Sequence, residues 1–203
     1  MYLPKHFQES DVEALLALMR ARPLAALAIN GEDGPVVNHI PLLASRQGET
    51  LVLRGHVARA NPLWRQLENG PQAVAVFQGD DAYITPAWDP DKTKHGKVVP
   101  TWNYRVAHAR GRLRAVDDPQ WLRAMLHDLT AEHEAAFDAP WRVDDAPADY
   151  IDKLSRAIVG IELAVERLDG KFKLSQNESE AARGSIREGL AARGQTGVAV
   201  AMR

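Results

Sequence analysis

At 203 residues, 45% hydrophobic and 26% charged, the chain is of one-domain length and buries roughly 70% of the surface its unfolded form exposes, which excludes disorder as a description of the whole. Cysteine is absent, excluding a disulfide scaffold, a thiolate nucleophile and sulfur-built metal sites. Lys and Arg number 25 against 27 Asp and Glu, a net charge of -2, so there is no basic excess of the kind that marks many nucleic-acid binders.

The first expected element is a helix opened by Ser10, three residues before Glu13 at capping-box spacing, with Leu15, Leu16, Leu18 and Met19 as its apolar stripe and Pro23 as its stop. Strands are expected over 24–29 and 35–43, joined by a turn through Asn30-Gly31-Glu32-Asp33-Gly34, whose two glycines supply positive φ. Further strands are expected over 51–53, 73–77 and 82–85, the last after a turn at Gly79-Asp80-Asp81. Residues 98–116 hold one or two more. A helix over 119–137 carries Trp121, Leu122, Met125, Leu126 and Leu129 at helical spacing, and a shorter one covers 148–156. A strand over 158–168 and a helical tail from 178 to Gly194 complete the order. The expectation is a mainly β fold with flanking α-helices, a barrel in one domain spanning 1–203 with an N-terminal helix and a C-terminal helical tail.

No run approaches the 18 or so apolar residues of a membrane span. The opening Met1-Tyr2-Leu3-Pro4-Lys5-His6-Phe7 lacks the pattern of a signal peptide. The expectation is a soluble, cytoplasmic protein with no membrane partner.

The most informative stretch runs from Leu53 through Arg54, His56, Val57, Arg59, Asn61 and Pro62 to Trp64. A strand ends at Gly55, basic side chains cluster, and Asn61-Pro62 is a favoured helix start. Free amides, a helix N-terminus and arginine's paired donors would cradle a phosphate; the other reading is a solvated, ordinarily capped turn. Asn38 and His39 interrupt an apolar strand, so a buried one needs a polar partner, in the protein or in a ligand. Gln78, Tyr83, Trp102 and Asn103 could line a ligand pocket or simply end strands. Lys173, Ser175 and Gln176, after the last strand, form either a second anion contact or a solvated loop. His127 and His133 with their neighbouring glutamates match no metal spacing, and no metal site is expected.

Taken in order, Met1 to Phe7, Asn38-His39-Ile40-Pro41, Gly55 to Pro62, Ala82-Tyr83-Ile84-Thr85-Pro86, His95 to Tyr104 and Lys173-Leu174-Ser175-Gln176-Asn177 resemble the PaiB-like family, described as FMN-binding negative transcriptional regulators. The resemblance implies a split β-barrel of the pyridoxamine-phosphate-oxidase and flavin-reductase kind. It also implies a homodimer with FMN at the subunit interface. His56, Arg59 and Asn61, with Arg54 and Val57, then fall at the phosphate, and Asn38 and His39 on the strand beside the cofactor. Gln78, Tyr83, Trp102 and Asn103 fall along the isoalloxazine, with Lys173, Ser175 and Gln176 closing the site. Asp80, Asp89 and Glu178 depart from the family's pattern, and an acid near a phosphate is unfavourable.

Three functions follow as alternatives. The resemblance points to an FMN-binding regulator, with DNA or a regulatory protein as partner, although the charge balance does not favour DNA. The fold also hosts FMN-dependent oxidoreductases that act on small molecules with NAD(P)H. Related barrels bind haem, for which His6, His39, His56 and His108 are available.

Overall fold

A computed structural model describes residues 1–202; the side chains of Lys94 and of His95, the latter part of the resemblance above, lie outside the described residues. In chain order the elements are β1 (Gln8–Glu9), α1 (Val12–Ala21), β2 (Leu24–Gly31), β3 (Gly34–Pro41), β4 (Leu43–Gln47), β5 (Thr50–Ala58), β6 (Gln72–Ile84), α2 (Lys92–His95), β7 (Thr101–Val116), α3 (Pro119–Glu134), α4 (Ala148–Ser155), β8 (Ile158–Lys173), α5 (Glu180–Ala192) and α6 (Thr196–Ala201). Among the described residues no helix is long and apolar enough to cross a membrane. The chain forms two compact units, one from residues 1–22, 77–107 and 169 onward, the other from 23–76 and 108–168.

In the second unit the strand order is β3-β2-β6-β7-β8-β5-β4. β2 buries Ala25, Leu27 and Ile29 on one face, the alternation a half-covered strand requires. The β2–β3 hairpin turns at Glu32-Asp33 between the paired Gly31 and Gly34. Only Gly34 has a positive φ, of 119°; Gly31 stays in the ladder, so one of the two expected glycine positions is used. β5 is longer than the expected 51–53, because Arg54 and His56 alternate with buried Leu53, Gly55 and Val57. α3 begins at Pro119 after Asp118, whose carboxylate accepts from the Trp121 N–H at 2.6 Å. It buries Leu122 and Met125, and its Trp121 ring rests over Gly160 of β8, where a Cβ would lie 2.3 Å from the ring.

In the first unit α1 is capped by Asp11, which accepts from the Glu13 N–H at 2.9 Å; Ser10 is not the cap. Leu15, Leu16, Leu18 and Met19 are buried, as their spacing requires. The expected turn at Gly79-Asp80-Asp81 does not form, and β6 runs straight through it. Gly79 gives the Leu18 side chain room, since a Cβ there would sit 2.9 Å from its Cδ1. Asp80 is held by Arg22 and by Arg105 at 3.8 Å, which neutralises the charge that argued for a turn. The tail folds as two helices: α5, capped by Ser179, ends at Ala192, Gly194 turns at φ 75°, and α6 follows. Ile186, Leu190, Val198 and Met202 of this tail pack with Ala82, Ile84 and Leu174, flanked by Trp88 and Phe172.

Candidate functional site

The candidate residues form two groups, one in each unit. In the second unit, Arg54 and His56 stand two apart on β5 and share a face, opposite Glu162 and Gly160 of β8 in register. Arg54 Nη2 donates to Asp128 Oδ2 of α3 at 2.8 Å, while its Nε is buried with no hydrogen-bond partner. His56 Nδ1 is likewise buried with no hydrogen-bond partner. Glu162, 5% exposed, takes Nε and Nη2 of Arg114 on Oε1 at 2.9 and 2.7 Å. Val57 is buried and offers only its backbone, paired with Val159.

Beyond the strand, the segment expected to open an α-helix forms a six-residue 3₁₀ helix, Pro62–Leu67. Its dipole is short, so an anion here depends on side chains. Asn61 caps it, accepting from the Leu63 N–H at 2.9 Å, and donates its amide to Asn38 Oδ1 at 2.8 Å. That bond is the polar partner half-buried Asn38 needed; His39, its neighbour on β3, is exposed. Arg59 grips both oxygens of Asp117 at 2.8 and 2.6 Å and donates to the carbonyls of Arg156 and Ile158 at 2.8 and 3.0 Å. The guanidinium fork that could hold a phosphate is filled by a carboxylate from the end of β7, and that bond raises the arginine's pKa and lowers Asp117's.

Burial lowers the His56 pKa from its ordinary value. The unfolded state therefore binds more protons between the folded value and about 6.5. The stability owed to neutral His56 is present above that unfolded value and is lost as pH falls through the folded one. Thermal melts between about pH 7 and pH 5 should show a decline in midpoint that is shallower in His56→Gln. Identical slopes would contradict this assignment.

In the first unit, Gln78 is exposed on β6. Tyr83 and Trp102 are 49% and 52% exposed and meet edge-to-face at 5.9 Å. Asn103 is fully buried; its amide donates to Ser175 Oγ at 2.9 Å and approaches the Met202 sulfur at 3.6 Å, and Ser175 Oγ donates back to Asn103 Oδ1 at 3.2 Å. Ser175 has a φ of 60°, the one positive φ outside glycine among the described residues. Gln176 is engaged by the turn: its side chain accepts from the Leu174 N–H at 2.7 Å and donates to the Phe172 carbonyl. Lys173 Nζ donates to Thr101 Oγ1 and to the Trp102 carbonyl at 2.9 Å. Its pKa is lowered by burial first and by the charge of Lys171 second, with Glu178 opposing.

Asn103, Lys173 and Ser175 line a cavity of about 830 Å³ in this unit, walled by Phe7, Ile84, Val98 and Ile186 among others. Met202, Asp117 and Asp128, which hold Asn103, Arg59 and Arg54, stand in no motif of the sequence. Asp117 carried a weak signal, standing beside the Asp118-Pro119 helix start; Met202, buried from the end of the described chain, carried none.

Residues 1–167 match the family described as "Putative FMN-binding domain". An uncharacterised protein of Emericella nidulans is 33% identical over 227 residues, covering 94% of this chain and 90% of its own length. The protease synthase and sporulation protein PAI 2 of Bacillus subtilis is 28% identical over 180 residues, covering 89% and 84%. Among solved structures, the FAD and haem binding protein of Mycobacterium smegmatis superposes with a TM-score of 0.59 at 21% identity, covering 82% of this chain and 73% of that one. The fold is the expected one: mainly antiparallel β with flanking helices, in the split-barrel class.

Proposed function

The chain belongs to the FMN-binding domain family, and from that premise we propose that it works as a cytoplasmic homodimer of the PaiB-like type, holding FMN and regulating transcription through a protein partner. FMN is the cofactor this membership gives it. The observation that carries the reading is the pair of buried, unpartnered nitrogens on one face of β5, Arg54 Nε and His56 Nδ1. A buried polar group left unpaired costs about 1–3 kcal/mol, and Arg54 Nε–H together with His56 in its Nδ1–H tautomer offers two neighbouring donors of the kind phosphate oxygens satisfy. Arg114 takes Oε1 of the nearby Glu162, whose Oε2 is buried with no hydrogen-bond partner.

When bound, FMN supplies one- and two-electron chemistry, while the protein supplies binding and orientation. Arg54 and His56 hold the phosphate. Asn61 and Asn38 fix the segment that follows β5, and Arg59, clamped to Asp117 and two carbonyls, braces that segment rather than reaching for the ligand. Asn103, Lys173 and Ser175 line the cavity of the first unit, and Gln176 holds the turn beside them. The exposed Tyr83–Trp102 pair and Gln78 are surface available to the flavin in the assembled dimer.

Dimerisation is supported by the outer face of the β2–β3 hairpin. Leu24 and Val37 are 60% and 54% exposed there, and the register places Ala26, Ala28, Pro35, Pro41 and two polar residues, Asn30 and His39, on the same face. An apolar face of this kind marks an interface. Sedimentation velocity at micromolar concentration should find a dimer, and Val37→Asp should shift it to monomer; a wild-type monomer would contradict the assignment. With a net charge of -2, retardation of promoter DNA by the purified protein alone is not expected, and finding it would overturn the role given to a protein partner.

A further inference from the structure

We propose that the face built by the end of α3, the loop that follows it and α4 is a docking surface for a basic polypeptide segment carrying apolar anchor side chains. The inference rests on the protein-partner reading above and gives that partner a chemistry. Four large apolar side chains, Phe137, Trp141, Tyr150 and Leu154, stand exposed in this part of the second unit. Tyr150 and Leu154 are one turn apart on α4 and share a face, while Ile151 turns to the core. Trp141 is fixed against the last turn of α3, where its backbone N–H donates to Glu134 Oε2 at 2.9 Å. Arg123 of α3 holds Asp144 at 2.9 Å and Asp152 at 3.9 Å, so the 3₁₀ turn Val143–Asp145 and α4 are braced on the same helix. A surface held in place this way binds at low ordering cost, and Trp and Tyr are residues that dominate interface energies.

Charge selects the occupant. Residues 132–155 hold seven acidic side chains against two basic ones, Arg142 and Lys153, a net charge of -5 in a chain whose total is -2 and whose remainder is therefore +3. Part of the acidic charge is answered within the fold. Arg123 pairs with Asp144 and Asp152, His127 lies 3.5 Å from Asp144, and Asp145 and Glu134 accept the backbone N–H groups of Arg142 and Trp141. Lys153 and Arg156 close the C-terminal end of α4. Glu132, Asp138 and Asp149 are exposed and make no ion pair among the described residues.

A face of this sign repels nucleic acid and anionic lipid. A second copy paired about a two-fold axis would set the acidic patch against itself. A basic segment meets the charge, and its apolar side chains cover the aromatic ones. No residue assigned above to FMN or to the β2–β3 hairpin interface falls within 132–155, so the surface is separate from both.

The test is fluorescence anisotropy of the full chain with three labelled peptides of equal length: an amphipathic leucine–lysine peptide, its leucine–glutamate counterpart and its serine–lysine counterpart. The leucine–lysine peptide should bind saturably and weaken as salt rises, with both counterparts at least about tenfold weaker. Trp141→Ser should weaken it by about tenfold or more, as should Tyr150→Ser combined with Leu154→Ser. Val200→Ser, an exposed apolar position in the other unit, should leave it within about twofold. The peptide comparison needs no variant and stands if one of them fails to fold. Absence of binding, equal binding of the leucine–glutamate peptide, or an equal loss in Val200→Ser would each overturn the proposal. So would a shift from dimer to monomer in Tyr150→Ser with Leu154→Ser, which would make a second copy the occupant. If the leucine–lysine peptide discriminates as stated while the protein alone retards promoter DNA, the surface stands and the protein-partner reading falls.

Discussion

Replacing Arg54 by methionine is expected to weaken FMN binding by about 1.5–3 kcal/mol, on the order of 10- to 100-fold. Riboflavin binding should change by about twofold at most. The reason is local. Arg54 brings a buried Nε with no partner to the face of β5 that also carries the unpartnered Nδ1 of His56, and a phosphate accepts from both. Arg54 also donates to Asp128, so a loss of affinity could arise from releasing α3. Asp128→Asn separates the two effects: it weakens the α3 contact but keeps the guanidinium, and FMN affinity should hold or rise. Unchanged FMN affinity in Arg54→Met, or an equal loss for riboflavin, would remove Arg54 from the phosphate site.

The largest stability effect is expected at Gly111. β7 and β8 are neighbours in the sheet, and a Cβ at Gly111 would lie 1.8 Å from the Ala164 carbonyl oxygen and 3.1 Å from the Glu166 backbone nitrogen. Backbone cannot swing aside as a side-chain tip can, so the two strands must part. Gly111→Ala should therefore cost about 3 kcal/mol or more, at the upper end of overpacking, and lower the melting midpoint by roughly 6–12 °C. Gly184 is the control. It lies within α5, where a Cβ meets nothing within 4 Å, and Gly184→Ala should raise stability by about 0.5–1 kcal/mol. A melt of Gly111→Ala indistinguishable from wild type would contradict this packing.

What could be read from the chain alone follows from which interactions are local. The apolar stripe of Leu15, Leu16, Leu18 and Met19 declared α1, and the helical spacing that follows Pro119 declared α3, because such stripes are written within a few residues. The Gly79-Asp80-Asp81 turn was misread because what keeps β6 straight is distant: Arg22 and Arg105 neutralise Asp80, and Leu18 fills the space over Gly79. The cap moved from Ser10 to Asp11 for a geometric reason, as the Asp11 carboxylate reaches the Glu13 N–H.

The candidate site divides the same way. Asn61 was legible as a cap, and its bond to Asn38, 23 residues earlier, explains the polar interruption of β3. Arg59 looked like a phosphate ligand in sequence; Asp117, 58 residues on, fills its fork. Ser175 was legible as a polar residue after a strand, whereas Lys173 is the last residue of β8, which runs past the expected end at 168. The cavity they line required the α5–α6 tail to fold back and bury Met202, which no local pattern announces.

The most direct measurement is a fluorescence-quenching titration of the purified protein with FMN, run in parallel with riboflavin. The phosphate site on β5 predicts saturable FMN binding, with riboflavin at least about tenfold weaker because it lacks the group that Arg54 and His56 satisfy. Equal affinity for the two flavins, or no binding of either, would contradict it.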